Sequence, residues 1–300
     1  MAWLSLLSIA KVAYYLGVVS FIGMNAMRLF LRYGRSNDLT VHTDWHKPVL
    51  RAQWVSLFIS LLGASAVVPL SAGMLLDDGF SGITDSLMLQ ISWQSSIGTQ
   101  TQFRLLAILM AMLCTAWGNK LYTGSNTSLA WVCSWLLTCA LFAASFTFSG
   151  HTAEANWPAK LLVALHVLMA AWWLGSLYPL IRLCRLEDVE LLRRQLHAYG
   201  NQAALWVGLL LVSGAGLFAL LLLNVRREVN TDYLLVMGCK LVLVAVMLGF
   251  AAYHKWYLVA NLTFSEDRYK VRKSIVGEAY IGTLVIVITA ILTSSFGIAH

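Results

Sequence analysis

Charge is what this chain has least of. Asp, Glu, Lys and Arg make up only 12% of its 300 residues, against about 25% in soluble domains. So few charges cannot cover a water-facing surface, and an ordinary soluble globule is excluded. The five cysteines (Cys114, Cys133, Cys139, Cys184, Cys239) are scattered and form no CxxC pair. A disulfide framework or a zinc ribbon is thereby excluded, and each thiol reads as a small buried apolar group. No Walker-type phosphate loop is present, which excludes nucleotide-driven work by this chain. Neither Gly-x-Ser-x-Gly nor His-Glu-x-x-His occurs, so no hydrolytic enzyme is indicated. Alternating strand patterns are missing too, which rules out a membrane barrel.

What is present is apolar sequence in long runs: 59% of the residues are hydrophobic and the mean hydropathy is +0.71. A spanning helix needs about 20 predominantly apolar residues. Eight runs qualify, at about 3–30, 51–76, 103–119, 128–149, 158–181, 203–223, 233–257 and 275–297. The fold class expected is all-α, a polytopic membrane helix bundle formed by residues 1–300 as a single integral-membrane domain. The first run starts at Trp3 without a basic leader or small-residue cleavage site, and reads as a retained helix.

Basic residues set the sidedness. Arg28, Arg32, Arg35, Lys47 and Arg51 follow run 1, Lys120 follows run 3, Arg182, Arg185, Arg193 and Arg194 follow run 5, and Lys255, Arg268, Lys270, Arg272 and Lys273 follow run 7. Fewer lie at the other face: Arg104, Lys160, Arg226 and Arg227. The positive-inside rule places the first set in the cytoplasm and both termini outside it. The net charge of +7 is then a matter of topology, with no nucleic-acid partner. The outer segment 77–102 is polar and is expected to hold a short surface helix. Its carboxylates Asp77, Asp78 and Asp85 suit docking of a basic partner. Trp3, Trp54, Trp131, Trp157, Tyr178, Tyr233, Trp256 and Tyr257 stand near run ends and read as interfacial anchors.

Ionisable groups inside a bilayer are expensive and mark candidate sites. His166 stands eight residues beyond Pro158, roughly 12 Å below the helix start, and His151 ends the preceding run in Ser149-Gly150-His151-Thr152. Gly150 permits a turn that would fold residues 150–157 back over the mouth of the bundle. Imidazoles at one membrane face suggest a metal site or an axially ligated b-type haem. Met169, one turn below His166, is a soft ligand for Cu(I), and Glu154 is a ligand or an outer partner. The competing reading makes His166 a satisfied polar residue bonded to a neighbouring helix.

Lys240 lies about 10 Å into run 7, and Glu278 stands four residues into run 8. Glu278 reads either as part of an inward release or proton step, or as a carboxylate in a helix's first turn, where the dipole favours it. The second reading is preferred. Met110, Met112, Cys114, Met169, Met237, Cys239 and Met247 offer a sulfur path, although gap-filling is the usual role of a single buried Met. His42 and His46 precede Pro48 in a polar stretch expected to be a loop. His197 reads as solvated, His254 as interfacial, and His300 as a terminal residue able to fold over the mouth.

The segment Gly150-His151, Leu165-His166 and Trp172-Trp173-Leu174-Gly175, with Met237-Gly238-Cys239-Lys240-Leu241 and Glu278 downstream, resembles the copper resistance D (CopD) family of bacterial inner-membrane proteins. The resemblance implies a copper-handling protein of the bacterial inner membrane. It would bind copper, Cu(I) or Cu(II), at its periplasmic side through His151 and His166, pass it toward the cytoplasm, and work beside a periplasmic copper-carrier protein. Where family members often carry a histidine in the first span, this chain has Tyr14 and Tyr15. The alternatives are a haem-bearing electron-transfer protein and a non-catalytic docking subunit for the carrier.

Overall fold

The computed structural model describes residues 2–33, 40–76, 80–122, 128–148, 156–224, 231–264 and 266–295. Among them every regular element is helical: α1 (Ala2–Tyr33), α2 (Thr40–Leu76), a 3₁₀ turn (Ser81–Ile83), α3 (Ser86–Gln94), α4 (Ser96–Tyr122), α5 (Leu129–Thr147), α6 (Trp157–Leu183), α7 (Val189–Asn224), α8 (Thr231–Tyr253), a π-helical turn (His254–Leu258) and α9 (Asp267–Ser295). Eight of these helices are long and apolar enough to cross a membrane. The ninth, α3, is the short helix expected in segment 77–102, and its start is fixed by the Asp85 carboxylate accepting from the Met88 amide at 2.9 Å.

Four helices run further than their apolar stretches, α4 among them by starting at Ser96. α2 begins at Thr40 and continues through Pro48, so the loop expected around His46 is helix instead. The side chain of His46 is buried there, while that of His42 lies outside the described side chains. α7 begins at Val189, where Asp188 accepts from the Leu191 amide at 2.9 Å and Glu190 pairs with Arg193 and Arg194 at 3.0 and 2.9 Å. α9 begins at Asp267, which pairs with Lys270 at 3.0 Å. Such i,i+3 and i,i+4 pairs and first-turn carboxylates stabilise helix in water, where hydropathy is silent.

α1 is the central element, packed on α2 and α6. Its contact with α6 is backbone on backbone. A Cβ built on Gly175 would lie 1.9 Å from the Val19 carbonyl oxygen, and one on Gly23 would lie 2.4 Å from the Gly175 backbone. Small residues let membrane helices approach this closely, and dispersion then replaces the missing hydrophobic drive. Just beyond, Pro179 stands inside α6 and removes the amide that would bond the Gly175 carbonyl. The Pro179 carbonyl in turn accepts from Trp45 Nε1 at 3.0 Å, tying α2 to α6.

Two expectations about side chains change. Trp131 is no surface anchor: it is buried, and its Nε1 donates to the Cys114 carbonyl at 3.0 Å, joining α5 to α4. Trp157, Trp256 and Tyr257 do stay exposed. Cys114, Cys139 and Cys184 are buried as expected, but Cys133 and Cys239 are exposed, on helix faces turned out of the bundle. Burial pushes the Cys184 thiol up to about 12, which leaves it a packing group without thiolate chemistry.

Candidate functional site

His166 lies on α6 and faces α7. Its Nδ1 is 3.4 Å from the Ser213 hydroxyl, and that hydroxyl donates its one proton to the Leu210 carbonyl at 2.9 Å. The Ser213 oxygen can therefore only accept, so the neutral ring carries its proton on Nδ1 and keeps the Nε2 lone pair. A hydrogen-bonded Nδ1 with a bare Nε2 is how metal-binding imidazoles are commonly held. Gly214 makes room for the ring, since a Cβ there would be 3.1 Å from its Cε1. Lys240 on α8 is close enough for its charge to act on the ring. Lys240, read from sequence as lying about 10 Å into its span, is thus within electrostatic reach of His166, and these two partly buried ionisable groups form one end of a column.

Met169, one turn along α6, packs against the core cluster that holds Trp173 and Met247. His151 and Glu154 lie outside the described residues, so their approach to His166 rests on sequence. Among the described residues no group of three or more His, Cys, Asp or Glu side chains is assembled to hold a metal ion. The neighbours of His166 are a hydroxyl, a glycine and an ammonium. They do not supply the second imidazole that the haem reading requires at equal depth.

The other end of the column was not legible as a site. Glu278 is not in a first helical turn: α9 starts at Asp267, which puts it three turns in, where the dipole argument no longer applies. It is 2% exposed, and its fixed partners are on other helices. Trp173 Nε1 donates to Oε1 at 2.9 Å, and His254 Nδ1 lies 3.1 Å from Oε2. His254 Nε2 is in turn 2.7 Å from the Ser274 hydroxyl. His254, its side chain 13% exposed, is therefore a partly buried partner of Glu278. The geometry is set by the π-helical turn, which begins at His254; such wide turns often mark functional positions.

Hydroxyl, imidazole and carboxylate stand here in the order of a hydrolytic triad. Ser274, however, is eight residues inside α9, where backbone amides are engaged in i→i−4 bonds and none is left to stabilise an oxyanion. What the arrangement can do is hold and pass a proton between a buried carboxylate and the helix surface. One turn further along α6, Ser176 bonds the Tyr199 hydroxyl, Tyr199 stacks on Trp172 with centroids 5.5 Å apart, and these side chains gather with Met27 and Phe30.

The two ends share helix faces. Lys240, Met247 and His254 recur every seven residues on α8, which keeps them on one side. Met247 is 2% exposed and lies against Gly282 of α9. This seven-residue spacing was the available signal for His254. It is faint because each member alone has an ordinary explanation.

Residues 193–292 match the family model CopD, described as Copper resistance protein D. The C-terminal third of the chain carries the copper resistance D signature. The match takes in most of α7, all of α8 and most of α9, and so includes Ser213, Lys240, Met247, His254, Ser274 and Glu278. His166, Met169 and Trp173 on α6 lie outside it. No curated protein matches the chain. No solved structure matches it either. The copper resistance D segment therefore supplies the far wall of the column, opposite α6.

Proposed function

We propose that this multi-pass membrane protein takes up copper at the end of the bundle carrying His166 and passes it along the column toward His254 and Glu278. The observation that carries the reading is the alignment of the His166 imidazole, the partly buried Met169 and buried Met247 thioethers and a carboxylate–imidazole pair between α6, α8 and α9, where the α8 and α9 members lie in the segment of copper resistance D sequence. Met247 lies seven residues, about 10 Å, from the level of each end. Thioether sulfur suits Cu(I) and imidazole suits either oxidation state. The mid-column favours Cu(I), and the two ends tolerate both.

His151 and Glu154 complete the receiving site in this reading, and the buried pair at the far end receives copper and manages its proton. Lys240 opposes long residence of a cation beside His166. That suits transit, since conduction needs sites weak enough to leave. Following the charge bias of the loops, both termini and the His166 end face the periplasm of a bacterial inner membrane, residues 1–300 act as one unit, and a periplasmic carrier delivers the ion. Membrane gradients, copper reduction or trapping in the cytoplasm drive the movement.

Copper titration of the purified full-length protein tests this. Wild type is expected to bind copper with a defined stoichiometry, His166→Ala to lose at least tenfold in affinity, and Lys240→Met to bind more tightly than wild type. Equal affinity and stoichiometry in wild type and His166→Ala overturn the proposal.

A further inference from the structure

A second buried polar cluster lies apart from this column, between α1, α4, α5 and α9. Its centre is Arg104. Charge counting assigns this residue to the face opposite the basic loops; it stands nine residues into α4 and is 1% exposed. Its guanidinium lies over the Tyr14 ring, 4.6 Å from the centroid. Its Nε and Nη1 have no hydrogen-bond partner among the described residues. Lys11 is near enough for the two charges to repel, and its ammonium donates to the Thr293 carbonyl at 2.7 Å.

None of the ion pairs among the described residues involves Lys11 or Arg104. A buried ammonium can shed its proton, but a guanidinium cannot. At least one full positive charge is thus enclosed with unused donors, and buried charges of this kind are compensated by a partner. Tyr14 does not supply it. The Ser145 hydroxyl is committed to the Phe142 carbonyl at 2.7 Å, so the Tyr14 hydroxyl, 2.7 Å from Ser145, donates to it and stays neutral.

We propose that Arg104 and Lys11 form a binding site for one small monovalent anion from solution, a halide or a carboxylate. The Arg104 Nε and Nη1 and the remaining ammonium protons are its donors, and the Tyr14 ring is its floor. Arginine is suited to the role because its charge is permanent and its donors are fixed in a plane. The site is independent of copper binding at His166.

The test uses the full-length protein purified in detergent in a gluconate buffer, with radiolabelled chloride and radiolabelled acetate as probes. Wild type is expected to bind one or the other saturably, one per chain. Arg104→Gln is expected to lower that affinity at least tenfold, and Lys11→Gln to lower it severalfold. If Arg104→Gln does not fold, Arg104→Lys and Lys11→Gln carry the comparison, with the lysine variant keeping the charge but binding more weakly. Absence of saturable binding of both probes in wild type overturns the proposal, as does equal binding in wild type and the folded variants. Binding that emerges only in Glu154→Gln also overturns it, because the chain's own carboxylate would then hold the place of the anion.

Discussion

His254→Ala is expected to lower the stability of the folded protein by about 1–3 kcal/mol, the usual cost of leaving a buried hydrogen-bonding group without its partner. Glu278 is 2% exposed and, among the described residues, would retain the Trp173 indole as its partner, with one carboxylate oxygen facing the cavity left by the ring. Glu278→Gln should cost less. An amide carbonyl still accepts from Trp173 Nε1, and no uncompensated anion remains. The informative variant is the double one. With Glu278→Gln already in place, His254→Ala removes a ring that no longer has a charge to neutralise, so the double variant should be more stable than the sum of the single losses predicts, by about 1–3 kcal/mol of coupling. SDS or thermal unfolding of the four proteins in micelles measures this. Strict additivity would show that the 3.1 Å contact between His254 and Glu278 carries no energy, and the relay reading would fall with it.

Gly175→Leu is the second large effect. A Cβ at 175 meets the Val19 carbonyl oxygen at 1.9 Å and the Gly23 Cα at 2.8 Å. Those atoms are main chain in the middle of α1 and have no rotamer to change. Overpacking a core ordinarily costs about 1–3 kcal/mol because side chains give way. Here two helices must separate, so the loss should reach or exceed the top of that range and show as little folded protein recovered from membranes. Gly238→Leu on α8 is the matched control. Nothing lies within 4 Å of its Cβ position, and the substitution should be nearly neutral. Comparable recovery of the two variants would mean that the α1–α6 contact does not hold the bundle together.

The bundle itself was readable from sequence because lipid imposes one simple demand, about 20 apolar residues per crossing. Each of the eight expected runs corresponds to one of the eight apolar helices. The water-side extensions of α2, α7 and α9 were not readable that way. Their helicity comes from caps and charge pairs such as Asp188 with the Leu191 amide and Lys270 with Asp267, to which a hydropathy scan is blind. That blindness propagated into the site: placing the start of the last span by its apolar residues put Glu278 in a first turn, when the helix begins at Asp267. His254 and Glu278 are 24 positions apart and across a turn, and no local spacing rule joins them. His166 and Lys240 were each singled out for being ionisable inside a span, and the structure adds that they lie within electrostatic reach of each other. The burial of Arg104 was missed for a related reason. Arg104 stands near the polar stretch 77–102, and counting charges by loop cannot distinguish a guanidinium in water from one under Tyr14.

The carbonyl of Gly175 has lost its helical donor to Pro179. Bends in helices concentrate at such steps. α6 is therefore stiff from His166 through Trp173 and weakest just below, where it is also pressed against α1. Were the two ends of the column ever to open in turn, the lower third of α6 is the part free to swing. Trp45, which bonds the Pro179 carbonyl, would be the latch that such a swing must release.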